Sequence, residues 1–112
     1  MAFDRELAER LRAVLATAAP VPPTERKMFG GLTFMVGGNM CCGVAGEDLV
    51  VRVGEAEASR ALAADPAVRP FDMGRGPSAS MVLVAPAGVS TEKALVTWVR
   101  KALVFVALLP AK

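Results

Sequence analysis

Few residues of this chain offer reactive chemistry. Histidine and tyrosine are absent, so the commonest general base and the commonest zinc ligand are missing. The two cysteines, Cys41 and Cys42, are adjacent, and because neighbouring strand residues point to opposite faces we expect them to be poor disulfide partners. No histidine or lysine flanks them to activate a thiolate, which favours small buried hydrophobes over a redox-sensitive thiol. We therefore predict no catalytic residue, no metal site and no cofactor, that is, a protein that is not an enzyme.

Several basic residues and glycines are the candidate contacts for an anion or a partner. Backbone amides in the Met-Phe-Gly-Gly segment, next to two basic side chains, could form an anion-binding nest. The structural alternative, which we favour, is that the glycines allow a bulge and Phe29 fills the core. Two further arginines would clamp a phosphate or carboxylate if their strands were neighbours, but solvated or ion-paired arginines are the alternative that we favour. The candidate residues are Arg26, Lys27, Gly30, Gly31, Arg52 and Arg69.

Length and composition bound the class of protein. The chain has 112 residues, 54% hydrophobic and 21% charged, which predicts one folded domain over residues 1–112. Its formal net charge of only +2 does not favour nucleic-acid binding by the domain alone. The charged N-terminus has no signal-peptide pattern, and the most apolar stretch, Ala94 to Leu109, is interrupted by Arg100 and Lys101 and is short for a bilayer. We expect a reduced, bacterial cytoplasmic protein with no membrane contact.

Hydrophobic periodicity predicts the elements that position these residues. Helical spacing alternates with period-two stretches and glycine turns, in the order α-β-β-β-α-β-β-α. This order predicts an α+β, two-layer fold in which three helices cover one face of a five-stranded antiparallel sheet. Ser90 is the expected N-cap of the last helix, and residues 74–80 are expected to be a loop. The predicted helices are 4–18, 55–64 and 91–109, and the predicted strands are 26–36, interrupted by the glycine bulge, 40–45, 49–53, 69–73 and 81–84.

Two predicted surfaces carry more apolar residues than one buried face needs. The outer sheet face has only Thr33 and Arg52 as clearly polar side chains, and Met35 points there. The last helix has apolar residues outside its main stripe. These excesses indicate an association surface and predict a homodimer, although scattered exposed apolar residues are also normal. The candidate association residues are Met35, Val104, Phe105 and Leu108.

The segment Arg26–Val44, which contains Met-Phe-Gly-Gly and a short glycine turn, resembles the N-terminal domain of the TfoX/Sxy family. The following Leu-x-x-Arg-Val strand, the Arg-Pro-Phe-Asp-Met segment and the closing Trp-Val and Leu-Leu-Pro sequences also resemble the family, so the resemblance covers nearly the whole chain. It implies an α+β domain with three helices and a five-stranded antiparallel sheet, similar to secretion-chaperone-like folds.

The resemblance also implies a function. Longer members of the family regulate natural competence together with a cyclic-AMP-responsive transcription factor, and they carry a second, helical domain that this sequence is expected to lack. We therefore expect a regulatory or interaction module that acts through protein contacts, with a protein partner in a transcription-regulation pathway. The alternatives are a small-ligand or anion-binding domain and, less favoured, direct nucleic-acid binding.

Overall fold

The chain folds as a six-stranded antiparallel sheet with helices packed on one face. The computed structural model describes residues 3–28, 30–72, 74 and 76–110. Within these residues the helices are α1 (Arg5–Ala18), α2 (Glu55–Ala64) and α3 (Glu92–Val106), with a 3₁₀ turn at Pro86–Val89. The strands are β1 (Thr24–Met28), β2 (Gly31–Val36), β3 (Asn39–Ala45), β4 (Asp48–Arg52), β5 (Val68–Asp72) and β6 (Pro77–Val84). Their order in the sheet is β1-β2-β3-β4-β6-β5.

The α+β class, the three helices and the antiparallel sheet agree with the prediction, but the predicted count of five strands is wrong. The additional strand is β1, which pairs with β2 as a hairpin from Thr24 opposite Met35 to Met28 opposite Gly31. Gly30 lies in the turn with φ +73°, a conformation that glycine adopts without strain. Gly30 therefore lies in a hairpin turn and Gly31 begins β2 opposite Met28, where a bulge was expected. Phe29, the expected core residue, lies outside the described residues.

Local hydrogen bonds explain where other predicted boundaries were wrong. The N-cap of α3 is Thr91, whose Oγ1 accepts from the backbone N–H of Ala94 at 3.1 Å, rather than Ser90. The expected loop 74–80 is shorter, since β6 begins at Pro77. Oδ1 of Asp72 accepts the backbone N–H groups of Gly74 and Gly76 at 2.7 and 3.2 Å, which closes the β5–β6 turn.

The main core lies between the helices and the sheet, and both cysteines belong to it. Cys42 pairs with Phe34 whereas Met40 pairs with Met35, so β3 carries Cys41 as an extra residue. Such a bulge breaks the alternation of strand side chains. The expectation that the two thiols point to opposite faces is therefore wrong. Both are fully buried, and the hydrogen bond with Cys41, together with burial, raises the pKa of Cys42 well above its usual value.

The outer sheet face has a second, smaller core. Val50, Phe71 and Met81 are 3%, 5% and 8% exposed, and they form a cluster separate from the helix-covered core. Partly buried Met40 and Leu83 pack against this cluster, as does Ala45. The apolar excess that the sequence predicts for this face is therefore largely covered by the chain itself.

Candidate functional site

An open groove between α2 and α3 is the candidate site. Its volume is about 450 Å³, within the range of ligand-sized clefts. Val53 and Phe105 lie at its base, and two apolar side chains of the α3 end stand at its side: Val104 is 68% exposed and Leu108 is 77% exposed. The residues that line the groove are Val53, Glu57, Thr97, Arg100, Lys101, Val104, Phe105 and Leu108.

The spacing of α3 leaves these side chains uncovered. Helical residues three or four apart share a face, and the buried face of α3 holds Leu95, Trp98, Val99, Ala102 and Val106. Val104 falls outside that stripe, and Leu108 lies in the turn after α3, which ends at Val106 rather than at the predicted residue 109. Because no other described element packs over them, they remain exposed beside the groove.

A glycine makes room for the aromatic ring at the base of the groove. Gly54, just before α2, has φ +90°. A Cβ at this position would lie 2.7 Å from Cδ1 of Phe105, so only glycine fits both the backbone and the ring. The partly buried Phe105 is thus held against the end of β4 and the start of α2.

Ion pairs join the two helices at one side of the groove. Oε2 of Glu57 lies 2.6 Å from Nη2 of Arg60 and 2.9 Å from Nζ of Lys101. Hydrogen bonds from Arg60 and then from Lys101 lower the pKa of Glu57 from its usual value. Lys101 Nζ also lies 4.7 Å from the centroid of the Trp98 ring, a cation–π contact. Arg100, by contrast, has no ion pair or hydrogen bond within the described part of the chain.

Arg52 is an incompletely satisfied cation beside the groove. Its Cζ lies 5.7 Å from the centroid of the Phe105 ring, and its Nη1 donates a long hydrogen bond of 3.5 Å to the carbonyl oxygen of Met40. Its Nε is buried without a hydrogen-bond partner, and no described carboxylate forms an ion pair with it. A buried donor without an acceptor is costly. The guanidinium of Arg52 thus has no carboxylate partner among the described residues, and its Nε is shielded from solvent.

The sequence matches the model of one protein family. The model of the TfoX N-terminal domain matches residues 14–106, which is most of the sequence. The chain belongs to the TfoX N-terminal domain family. The matched range includes every groove residue except Leu108. Searches of the curated proteins and of the solved structures found no significant match.

The predicted anion contacts do not meet at one site in this TfoX N-terminal domain. Arg26 and Lys27 are exposed on the edge strand β1, which β2 and β3 separate from the strand of Arg52. Gly31 is buried, and a Cβ there would overlap the carbonyl oxygen of Val44, so a close strand contact explains this glycine. The clamp of Arg52 with Arg69 is not formed because β6 lies between their strands.

Arg69 has a partner of its own. It forms an ion pair with Asp48, so its role in this domain is to join β5 to the start of β4. This is the ion-paired alternative that the sequence left open.

Three of the four predicted association residues meet at the groove: Val104, Phe105 and Leu108. Met35 is partly buried on β2 and does not line it. Sequence reasoning missed the other five groove residues, which are Val53, Glu57, Thr97, Arg100 and Lys101. The available signals were Gly54 before a helix and the cations Arg100 and Lys101, which interrupt the apolar stretch of α3.

The described residues offer no other obvious chemistry. No three cysteine, aspartate or glutamate side chains among them come together as a potential metal site. None of the described helices is both long and apolar enough to cross a bilayer.

Proposed function

We propose that this TfoX N-terminal domain is a non-enzymatic regulatory module of the bacterial cytoplasm that acts through protein contacts at the α2–α3 groove. One observation carries the proposal: Val104 and Leu108 are 68% and 77% exposed next to an apolar groove that the fold holds open. Exposed apolar surface of this kind is characteristic of interaction sites. The family membership supports a TfoX-like regulatory role.

The edges of the sheet offer a poorer route to a partner. The edge strand β1 has the sequence Thr-Glu-Arg-Lys-Met, and its first four residues are exposed. The other edge strand, β5, contains Pro70, which cannot donate a backbone hydrogen bond. Charged residues and proline are the usual protection of an edge strand against pairing with another chain. Contacts through the groove are therefore favoured over strand addition.

A transcript profile tests the regulatory proposal. The gene is deleted in the organism that encodes it and then restored as wild type, as Leu108→Glu or as Leu62→Glu. Leu62 is the matched control because it is also an exposed leucine, 38% accessible, but lies on α2 outside the groove. We expect wild type and Leu62→Glu to restore the profile and Leu108→Glu to fail at equal protein level. Equal restoration by all three would reject the groove as the functional surface.

The predicted homodimer is a separate part of the proposal. Light scattering of the reduced protein over a dilution series measures its mass directly. A constant monomer mass would reject the dimer and leave the proposed contact with a different protein in place.

Binding of an anionic small ligand is the second candidate. The observation that favours it is the guanidinium of Arg52, which forms no ion pair with a described carboxylate and only a long hydrogen bond of 3.5 Å to the carbonyl oxygen of Met40. A thermal-shift screen of small carboxylates and phosphates tests it. A ligand at about a hundred times its dissociation constant adds roughly 2.7 kcal/mol to stability, so the absence of any shift would reject this candidate.

A further inference from the structure

We infer that the occupant of the α2–α3 groove is an acidic amphipathic helix of a different protein. This inference rests on the proposed function and specifies the chemistry of the partner. It is carried by the charges around the groove together with the exposed apolar residues of α3.

The groove has the length and the apolar surface that a short helix needs. Its α3 side runs from Thr97 to Leu108, roughly three helical turns or about 16 Å at 1.5 Å per residue. Helices that bind in grooves insert apolar side chains at positions i, i+3 or i+4, and i+7. Val53 and Phe105 at the base, with Val104 and Leu108 at the side, provide matching apolar contacts.

The surrounding charge selects an acidic partner. Arg52, Arg100 and Lys101 lie at or next to the groove, and Glu57 is the single acid that lines it. Glu57 already accepts from Lys101 and from Arg60. Arg100 and Arg52 have no carboxylate partner within the described residues. Arg100 lines the groove, and Arg52 lies next to it, against the ring of Phe105. Glutamate or aspartate side chains flanking the apolar face of a partner helix would complete these pairs.

The same charges argue against a second copy of this chain as the occupant. In a twofold dimer the same surface patch meets itself. A symmetric contact through this groove would bring the cations of one α3 close to those of the other, and like charges at an interface are unfavourable. Among the described residues that line the groove, Glu57 is the only acid; it is already engaged by two cations, so it offers little compensation.

Three synthetic helical peptides provide the probe. Each has 18 residues and the same length of helix. The first carries leucines on one face with flanking glutamates, the second replaces the glutamates by lysines, and the third keeps the glutamates but replaces the leucines by glutamines. Binding to the full chain is measured by fluorescence anisotropy at low salt. We expect the first peptide to bind at least about tenfold tighter than either of the others, which corresponds to about 1.4 kcal/mol.

A charge reversal on the protein locates the binding. Arg100→Glu changes an exposed side chain that has no ion pair within the described residues. It should weaken binding of the acidic peptide by about tenfold and strengthen binding of the lysine peptide. Lys93→Glu is the matched control, because Lys93 is exposed on the same helix two turns before Arg100 and does not line the groove. We expect this control to change the ratio of the dissociation constants of the acidic and lysine peptides by less than about twofold.

Arg52→Gln tests the second cation. Since Arg52 contacts Phe105, a thermal melt first establishes that the variant is folded. The expected result is weaker binding of the acidic peptide and little change in the affinity of the lysine peptide.

The outcomes separate this inference from the function on which it rests. Equal binding of the acidic and lysine peptides, or an unchanged ratio in Arg100→Glu, would overturn the acidic partner. Absence of binding by all three peptides would overturn a helical occupant. A dimer in light scattering that Leu108→Glu dissociates would show a second copy in the groove and would also overturn the inference. The transcript profiles of Leu108→Glu and Leu62→Glu test the regulatory role independently of all these results.

Discussion

The outer sheet face and the end of α3 are both too apolar for a simple two-layer domain, but only the sheet face is covered by other residues of the chain. On the sheet, Val50 and Met81 are 3% and 8% exposed and pack with Phe71. At the end of α3, Val104 is 68% exposed, and Leu108 in the following turn is 77% exposed. An apolar excess in the sequence therefore corresponds to a buried cluster in one region of the chain and to exposed surface in the other.

The reason is geometric. Side chains on neighbouring strands of a sheet lie about 4.5 to 5.5 Å apart, so Val50 and its neighbours on β6 can cover one another, and the ring from edge strand β5 adds to that cover. Residues on the outer side of a helix have neighbours only along that helix, three or four residues away, and no second element covers them. A surplus on a sheet face can be absorbed within the chain, whereas a surplus on a helix remains available to a partner.

Truncation of Phe71 should show the largest difference between the two regions. We expect Phe71→Ala to lower the free energy of unfolding by about 3 kcal/mol, because a buried ring is lost and a cavity is left. Leu108→Ala, at an exposed site, should change it by less than about 0.5 kcal/mol. Urea denaturation of both variants measures these values. A similar loss of unfolding free energy in both variants would mean that the outer sheet cluster does not stabilise the fold as a core.

Gly54→Ala tests whether the base of the groove is built into the fold. We expect a loss of about 2 kcal/mol, because alanine is strained at φ +90° and its Cβ would displace Phe105. Gly46→Ala is the control: Gly46 has φ +61° but open space around its Cβ position, so only backbone strain of about 1 kcal/mol applies. Equal losses would show that the contact with Phe105 contributes nothing.

The two regions should also differ in acid sensitivity through Glu57. Its pKa in the folded chain lies below the usual 4.5, so its ion pairs stabilise the fold above about pH 4.5 and this contribution is lost as the pH falls through the lowered value. Glu57→Gln should therefore cost less than about 1 kcal/mol near neutral pH, and this cost should shrink in acid.

Urea titrations of wild type and Glu57→Gln at about pH 7 and about pH 3 measure the effect. Glu47→Gln is the control, because Glu47 is exposed and has no ion pair in the described part of the chain. A cost for Glu57→Gln that is the same at both pH values would contradict the role of its ionised carboxylate.

The smallest expected effect is that of Val104→Gln on stability. Val104 is largely exposed, so we expect less than about 0.5 kcal/mol together with loss of binding by the acidic peptide. The measurements are urea denaturation and anisotropy on the same preparation. A marked loss of stability would mean that Val104 belongs to the core of the chain, and the contrast with the outer sheet face would disappear.

Regular periodic segments were predicted well from the sequence. The bounds of α2, Glu55–Ala64, are as predicted, and α1 differs by one residue at its start. Strand β1 was missed as a separate strand because its first four residues are exposed and show no alternation of apolar and polar side chains. The site was predicted only in its α3 part, since Val53 and Glu57 reach it from elements distant in the sequence.

By itself, the sequence determined the α+β class, the helices, the antiparallel pairing and the family, since hydrophobic periodicity, turn glycines and a long motif are local properties. Tertiary structure alone decided which apolar surplus is covered, which arginine is paired and which is left open. It also placed Cys41 and Cys42 in one core through the extra residue of β3. These features depend on which strands and helices become neighbours, and that is set by packing between distant segments rather than by the pattern within any one of them.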